Sequence, residues 1–190
     1  MELQKQKRIL LAAQELFGRH GFKRVAIDEI AKKAGVSKGT VYNFAESKDE
    51  LYFRVVEEDL AQWVAEAESR MDFTKPADEL LLSSGLYSFE YLDNKPTLRQ
   101  LLVEDLDYSM QVWVKKLDHI RRKCSANSVK ILELGIRQGK FRADLDVENA
   151  ALVLQDILIH SIILKYRRGV SEALVWASTA MDLILRGLKS

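Results

Sequence analysis

The chain reads as all-α, with about nine helices, on three observations. Apolar residues recur at spacings of three and four along almost its whole length. Alternating strand patterns bounded by Asn-Gly or Asp-Gly turns are absent, and only two prolines, Pro76 and Pro96, interrupt 190 residues. A chain this long buries a real core without staples. Cys124 is the only cysteine, which rules out an intramolecular disulfide or a Cys-rich metal cage and fits a reducing cytoplasm. The opening "MELQKQKRILLAAQELF" scatters charges among its apolar residues, unlike a signal peptide. No stretch approaches the ~18 uncharged apolar residues of a spanning helix. The expectation is a cytoplasmic protein with no membrane partner.

The helices follow in order. The first carries Ile9, Ala13, Leu16 and Phe17 on one face and ends near "GRHGF", where Gly18 and Gly21 supply stop chemistry. In the second, Ile27, Ile30, Ala31 and Ala34 share a face, and Gly35 then permits the positive φ of a tight inter-helix turn. Ser37 is placed to cap a third helix that runs only to about Phe44. Ser47 caps the fourth, with Glu50 three residues on completing a capping box, and that helix extends from about Lys48 to Met71. Pro76 and Pro96 each open a helix. A long helical stretch spans roughly 107 to 138, closed by Gly139; further helices cover 146 to 166 and about 171 to 187.

A stabilising first helix followed by two short helices around a Gly-containing turn is the layout that lets one helix protrude into a DNA major groove. Such a helix needs an apolar side to lock onto its bundle and a small or polar side to reach bases and phosphates. Val36, Val41 and Phe44 supply the first; Lys38, Gly39, Thr40, Tyr42 and Asn43 are left on the second. Gly39 lets backbone approach DNA, Thr40 offers a hydroxyl and a methyl, and Asn43 offers an amide for a base edge. Tyr42 and Lys38 suit phosphate, as does Lys48 at the start of the fourth helix. Charge adds little: residues 1 to 50 hold ten Lys/Arg against seven Asp/Glu, and the whole chain has a net charge of +1.

The stretch "ILLAAQELFGRHGFKRVAIDEIAKKAGVSKGTVYNFAESKDELY", residues 9 to 52, resembles the N-terminal DNA-binding domain of the TetR (tetracycline-repressor-like) family. It keeps "AA..LF...G", "IA..AGVS.GT.Y" and "SK..L" in the family's order and spacing. The resemblance implies a helix-turn-helix DNA-binding domain over 1–50 and a helical effector-binding and dimerisation domain over 51–190. It further implies a homodimeric transcriptional regulator, usually a repressor, that reads a near-palindromic double-stranded operator under control of a small molecule. By position, Lys38, Gly39, Thr40, Tyr42 and Asn43 fall on its recognition helix, behind Ser37, and Lys48 on its phosphate contact. Two positions depart from it. Ala26 stands where the family usually has a capping Thr, although Glu29 can still provide half of a capping box. The order Asn43, Phe44, Ala45 replaces an aromatic or His followed by Phe, so that either Phe44 takes over the core role or the helix end is repacked.

In the second half, Leu174, Ala177, Met181, Ile184 and Leu188 are spaced 3, 4, 3, 4, and Ala150, Leu154, Ile157, Ser161 and Leu164 are spaced 4, 3, 4, 3. Two such stripes suit either a four-helix contact between subunits or the chain's own core; the resemblance points to the dimer. Two recognition helices would then lie one DNA turn, ~34 Å, apart. For the effector, Trp63, Tyr87, Tyr91, Tyr108, Trp113 and His160 combine apolar bodies with polar handles, and the Leu, Ile and aromatic content points to an apolar ligand. His160, within "ILIHSIIL", reads first as a satisfied core histidine. The fourth helix joins both domains and is the natural lever.

Catalysis, metal and cofactor are not expected. His119 and Cys124 are five apart and point to different faces, and the three histidines lack ligand spacing. No P-loop, GxSxG or dinucleotide fingerprint is present.

Overall fold

The computed structural model describes residues 2–101 and 106–189, the side chains of 106–120 excepted. Tyr108, Trp113 and His119 therefore lie outside the described side chains. Among the described residues there are nine α-helices and no strand. They are α1 (Glu2–His20), α2 (Ile27–Ala34), α3 (Lys38–Phe44), α4 (Lys48–Ser69), α5 (Ala77–Tyr91), α6 (Pro96–Gln100), α7 (Leu106–Arg137), α8 (Val147–Arg168) and α9 (Val170–Leu188), with a 3₁₀ turn at Leu92–Asn94. Each end falls where local chemistry puts it. Pro76 immediately precedes α5, and Pro96 is the first residue of α6. Gly139 closes α7 at φ 66°, and Asp146 caps α8 by accepting from the Asn149 backbone N–H.

By contacts the chain gathers into two units: Met1–Leu60 with Leu92–Val112, and Ala61–Tyr91 with Trp113–Ser190. In the first, Ile9, Ala13 and Phe17 of α1, Ile30 of α2, Val41 of α3 and Leu51, Tyr52, Val55 and Val56 of α4 are all at most 2% exposed. Phe17, Phe22 and Tyr52 form its aromatic centre, with ring centroids 4.9 to 6.1 Å apart. Apolar burial of this kind supplies most of the stability of such short helices. Gly18 is not the stop signal expected. It sits inside α1, buried, where a Cβ would lie 3.1 Å from the Thr97 backbone nitrogen and 3.2 Å from Pro96, so its role is the close approach of α6. Gly21, at φ 77°, is the stop.

In the second unit Ala77, Leu80 and Leu81 of α5, Ile131 and Leu132 of α7, Phe141, Ala151 and Leu154 of α8 and Leu188 of α9 make one core. Of the described helices, α8 is long and apolar enough to cross a membrane by length and composition alone. Here six of its residues are buried in the unit, and Asp156 on its outer side is ion-paired with Arg121.

Candidate nucleic-acid interface and apolar cavity

The α2–turn–α3 corner is built by three local devices. The Ala26 backbone N–H donates to Glu29 Oε2 at 2.9 Å, so the half capping box forms although Ala26 has no side chain to complete it. Gly35 ends α2 in the left-handed conformation, φ 64° and ψ 43°. Ser37 Oγ accepts from the Thr40 backbone N–H at 3.1 Å and shares a hydrogen bond with Thr40 Oγ1 at 2.8 Å. A seven-residue helix is unstable alone. Buried Val41 and Ala45 pin this one, and Ala45, at 2% exposure, holds the slot expected of Phe44. Phe44 is half-buried, with the Arg54 guanidinium 4.8 Å above its ring. The helix end is thus repacked: Ala45 is buried and Phe44 is left half-buried beneath Arg54.

On the opposite side Lys38, Gly39, Tyr42 and Asn43 are exposed, and Thr40 is half-buried. Lys38 Nζ lies 3.0 Å from Asp28 Oδ1 of α2, and the hydrogen bond and charge of Asp28 raise its pKa above the ordinary lysine value. Lys48 is placed differently from the expectation of a free phosphate contact. Its ammonium donates to the carbonyls of Phe22 at 2.9 Å and Val25 at 3.1 Å and stands 4.4 Å from the Phe22 ring centroid. Ser47 does cap α4, accepting from the Glu50 N–H, but the Glu50 carboxylate reaches back to the Glu46 N–H and forward to Arg54.

Within the same unit, Asp59 of α4 is fully buried, a feature sequence reasoning passed over. It accepts from the Gln14 amide, and Lys95 Nζ lies 3.8 Å away. Its other oxygen has no hydrogen-bond partner among the described residues. Burial raises its pKa above the carboxylate norm, against the opposing pull of Lys95 and Gln14. An Asp within the apolar run "VVEEDLAQW", three and four residues after Val56 and Val55, was the available signal.

The second unit contains a cavity of about 310 Å³. None of the four described residues expected to line a ligand site lines it. Trp63 is buried with Nε1 unpartnered among the described residues. Tyr87 donates to Glu66 at 3.1 Å under the Arg70 guanidinium, and burial, then that carboxylate, raises its pKa. Tyr91 is buried against Tyr87. His160 is exposed, its ring tilted against that of Trp176 with centroids 4.6 Å apart, so it is neither a core histidine nor a cavity group. The cavity belongs instead to residues placed in the dimer seam by spacing: Leu154, Ile157, Ser161, Leu174, Ala177 and Met181. Leu154, Ser161 and Leu188 are buried within their own chain. Leu164 and Ile184 are half-buried. Val153 of α8 and Val170, Val175 and Leu183 of α9 are each more than half exposed. The stripes are therefore only partly covered by their own chain: Leu174 is 45% exposed.

Residues 9–55 match the profile of the bacterial regulatory proteins of the tetR family. The chain is 27% identical over 192 residues to the uncharacterized HTH-type transcriptional regulator YdgC of Bacillus subtilis, covering 98% of this chain and 93% of that one. It is 27% identical over 151 residues to the fatty acid metabolism regulator protein of the same organism, covering 77% and 78%. Among solved structures, a TetR-family transcriptional regulator from Pectobacterium atrosepticum superposes with a TM-score of 0.78 at 20% identity, covering 99% of this chain and 95% of that one. The regulator FadR from Bacillus subtilis in complex with stearoyl-CoA superposes with a TM-score of 0.76 at 22% identity, over 96% and 98%. The head at residues 9–55 thus matches the tetR-family profile, and the helical fold behind it is the fold of these solved regulators.

Proposed function

We propose that this regulator is a cytoplasmic homodimeric repressor that binds a near-palindromic operator through residues 1–50 and releases it when a small, largely apolar effector binds within residues 51–190. The observation that carries the DNA reading is the division of α3: Val41 and Ala45 buried, with Lys38, Gly39, Tyr42 and Asn43 exposed on a capped helix held at a fixed corner. Small and polar groups presented together on a rigid helix are what base-edge and phosphate contact requires. The largely aliphatic cavity supports an apolar effector, as does likeness to a fatty acid metabolism regulator. For the dimer we infer the exposed face of α8 and α9 that bears Val153, Leu174, Val175 and Leu183.

The test is a mobility shift on DNA flanking the gene, with a salt titration, comparing wild type with Tyr42→Ala and Lys38→Ala. Sequence-selective binding, weakened by salt and reduced in both variants at unchanged melting temperature, is the expected result. Lys38→Ala should lower the slope of log K against log salt by about 0.9, the contribution of one phosphate contact. Folded protein that binds neither this DNA nor a random-site library refutes the reading. Leu183→Glu should shift the sedimenting species towards monomer.

A further inference from the structure

The cavity is lined by one buried side-chain amide. Gln155 of α8 is 5% exposed and lines the cavity, and its side-chain amide makes no hydrogen bond among the described residues. Its amide atoms are not sealed inside protein but reach the space of the cavity, where they can meet a ligand group. Ser161 is accounted for, since its hydroxyl donates to the Ile157 carbonyl at 2.7 Å. Most of the lining is aliphatic, including Leu81, Leu86, Leu154 and Leu158, and none of the described lining residues carries a charge. Gly85 faces open space: a Cβ built there meets nothing within 4 Å.

We propose that this cavity binds an uncharged ligand with an extended apolar body and one neutral hydrogen-bonding group, such as an amide, ester or alcohol, and that Gln155 is the group that recognises it. This rests on the effector reading above and narrows it. A carboxylate or ammonium seated beside buried Gln155 would lose hydration and meet no counter-charge among the described lining residues. Gln can both donate and accept, so it satisfies a neutral head of either polarity. The apolar body replaces water along the leucines, and the single polar contact sets its direction.

The experiment measures binding of octanamide, octanoate and octyltrimethylammonium to the full chain by calorimetry, with wild type, Gln155→Leu and Gly85→Leu. Octanamide should bind wild type at least tenfold more tightly than either ion. Gln155→Leu should weaken octanamide about fivefold to tenfold, the value of one net hydrogen bond, and leave the preference over the ions much reduced. Gly85→Leu fills the space and should abolish binding without lowering the melting temperature, since Gly in a helix interior is the weaker choice. Equal affinity for octanoate, or no loss in Gln155→Leu, overturns the assignment. So does a protein in which no probe binds and Gly85→Leu changes only the monomer–dimer balance, because the cavity is then covered by a second copy. The binding readout involves no DNA. If operator binding fails while octanamide selectivity holds, the regulatory reading falls and the site stands; if an ionic effector releases the operator and octanamide does not bind, the reverse is true.

Discussion

Lys48 donates its ammonium to the carbonyl oxygen of Phe22 at 2.9 Å, and through this bond the first turn of α4 holds the loop that leads into α2. The same ammonium takes the Val25 carbonyl at 3.1 Å. A cation that satisfies two loop carbonyls is a structural strut before it is a DNA contact. Lys48→Ala should therefore destabilise the chain by about 1–2 kcal/mol, the range of charged hydrogen bonds discounted for partial exposure. Urea denaturation reads this directly. A change below about 0.3 kcal/mol, with DNA affinity nonetheless lost, would return Lys48 to a purely phosphate-binding role.

Asp59 makes stability depend on pH in the direction opposite to an ordinary surface carboxylate. Its pKa is raised in the folded chain, chiefly by burial, so the native state holds its proton more tightly than the unfolded state does. Stability from this group is then fully present below the unfolded value of about 3.9 and is lost as pH rises through the raised folded value. Asp59→Asn removes the titration. Relative to wild type, the variant should gain stability as pH rises across that window, measured as urea midpoints from pH 4 to 7. A difference between the two proteins that does not vary with pH would show that Lys95 and Gln14 offset the burial completely.

Gly135 in α7 faces the Phe141 ring, which occupies the space where a Cβ would stand. Gly135→Ala should destabilise by about 1–3 kcal/mol, because overpacking a filled core outweighs the ~1 kcal/mol gained in helix propensity. Gly187 of α9, with open space around it, is the control, and there the same change should be neutral or stabilising. Partial rescue of Gly135→Ala by Phe141→Leu would assign the penalty to the ring. Thermal unfolding of the three variants and the double variant decides it.

Cys124 is buried in α7, and burial pushes its thiol up to about 12. Since the thiolate is the reacting species, the folded protein should resist thiol reagents at pH 8 and become fully reactive in denaturant. Rapid labelling under native conditions would show that this part of α7 opens.

The recognition corner could be read almost entirely from the chain, because its determinants act over three or four residues. Ser37 can cap only the helix that follows it, Gly35 is needed where the backbone turns left-handed, and the Glu29 carboxylate reaches Ala26 whatever lies beyond. The spacing of Leu154, Ile157 and Ser161, by contrast, established that α8 has an apolar face without naming what would cover it, since a helix period carries no information about its neighbour. Packing with α5 and α9 turned that face towards a cavity and left Val153, Val175 and Leu183 outside. The same holds for Gly18 against Thr97, for Lys48 against Phe22 and for the unpartnered amide of Gln155. Local sequence determined where helices start, stop and turn because those bonds close within a few residues. Tertiary structure alone decided which faces meet and which polar groups are left for a ligand, because those contacts join residues tens of positions apart.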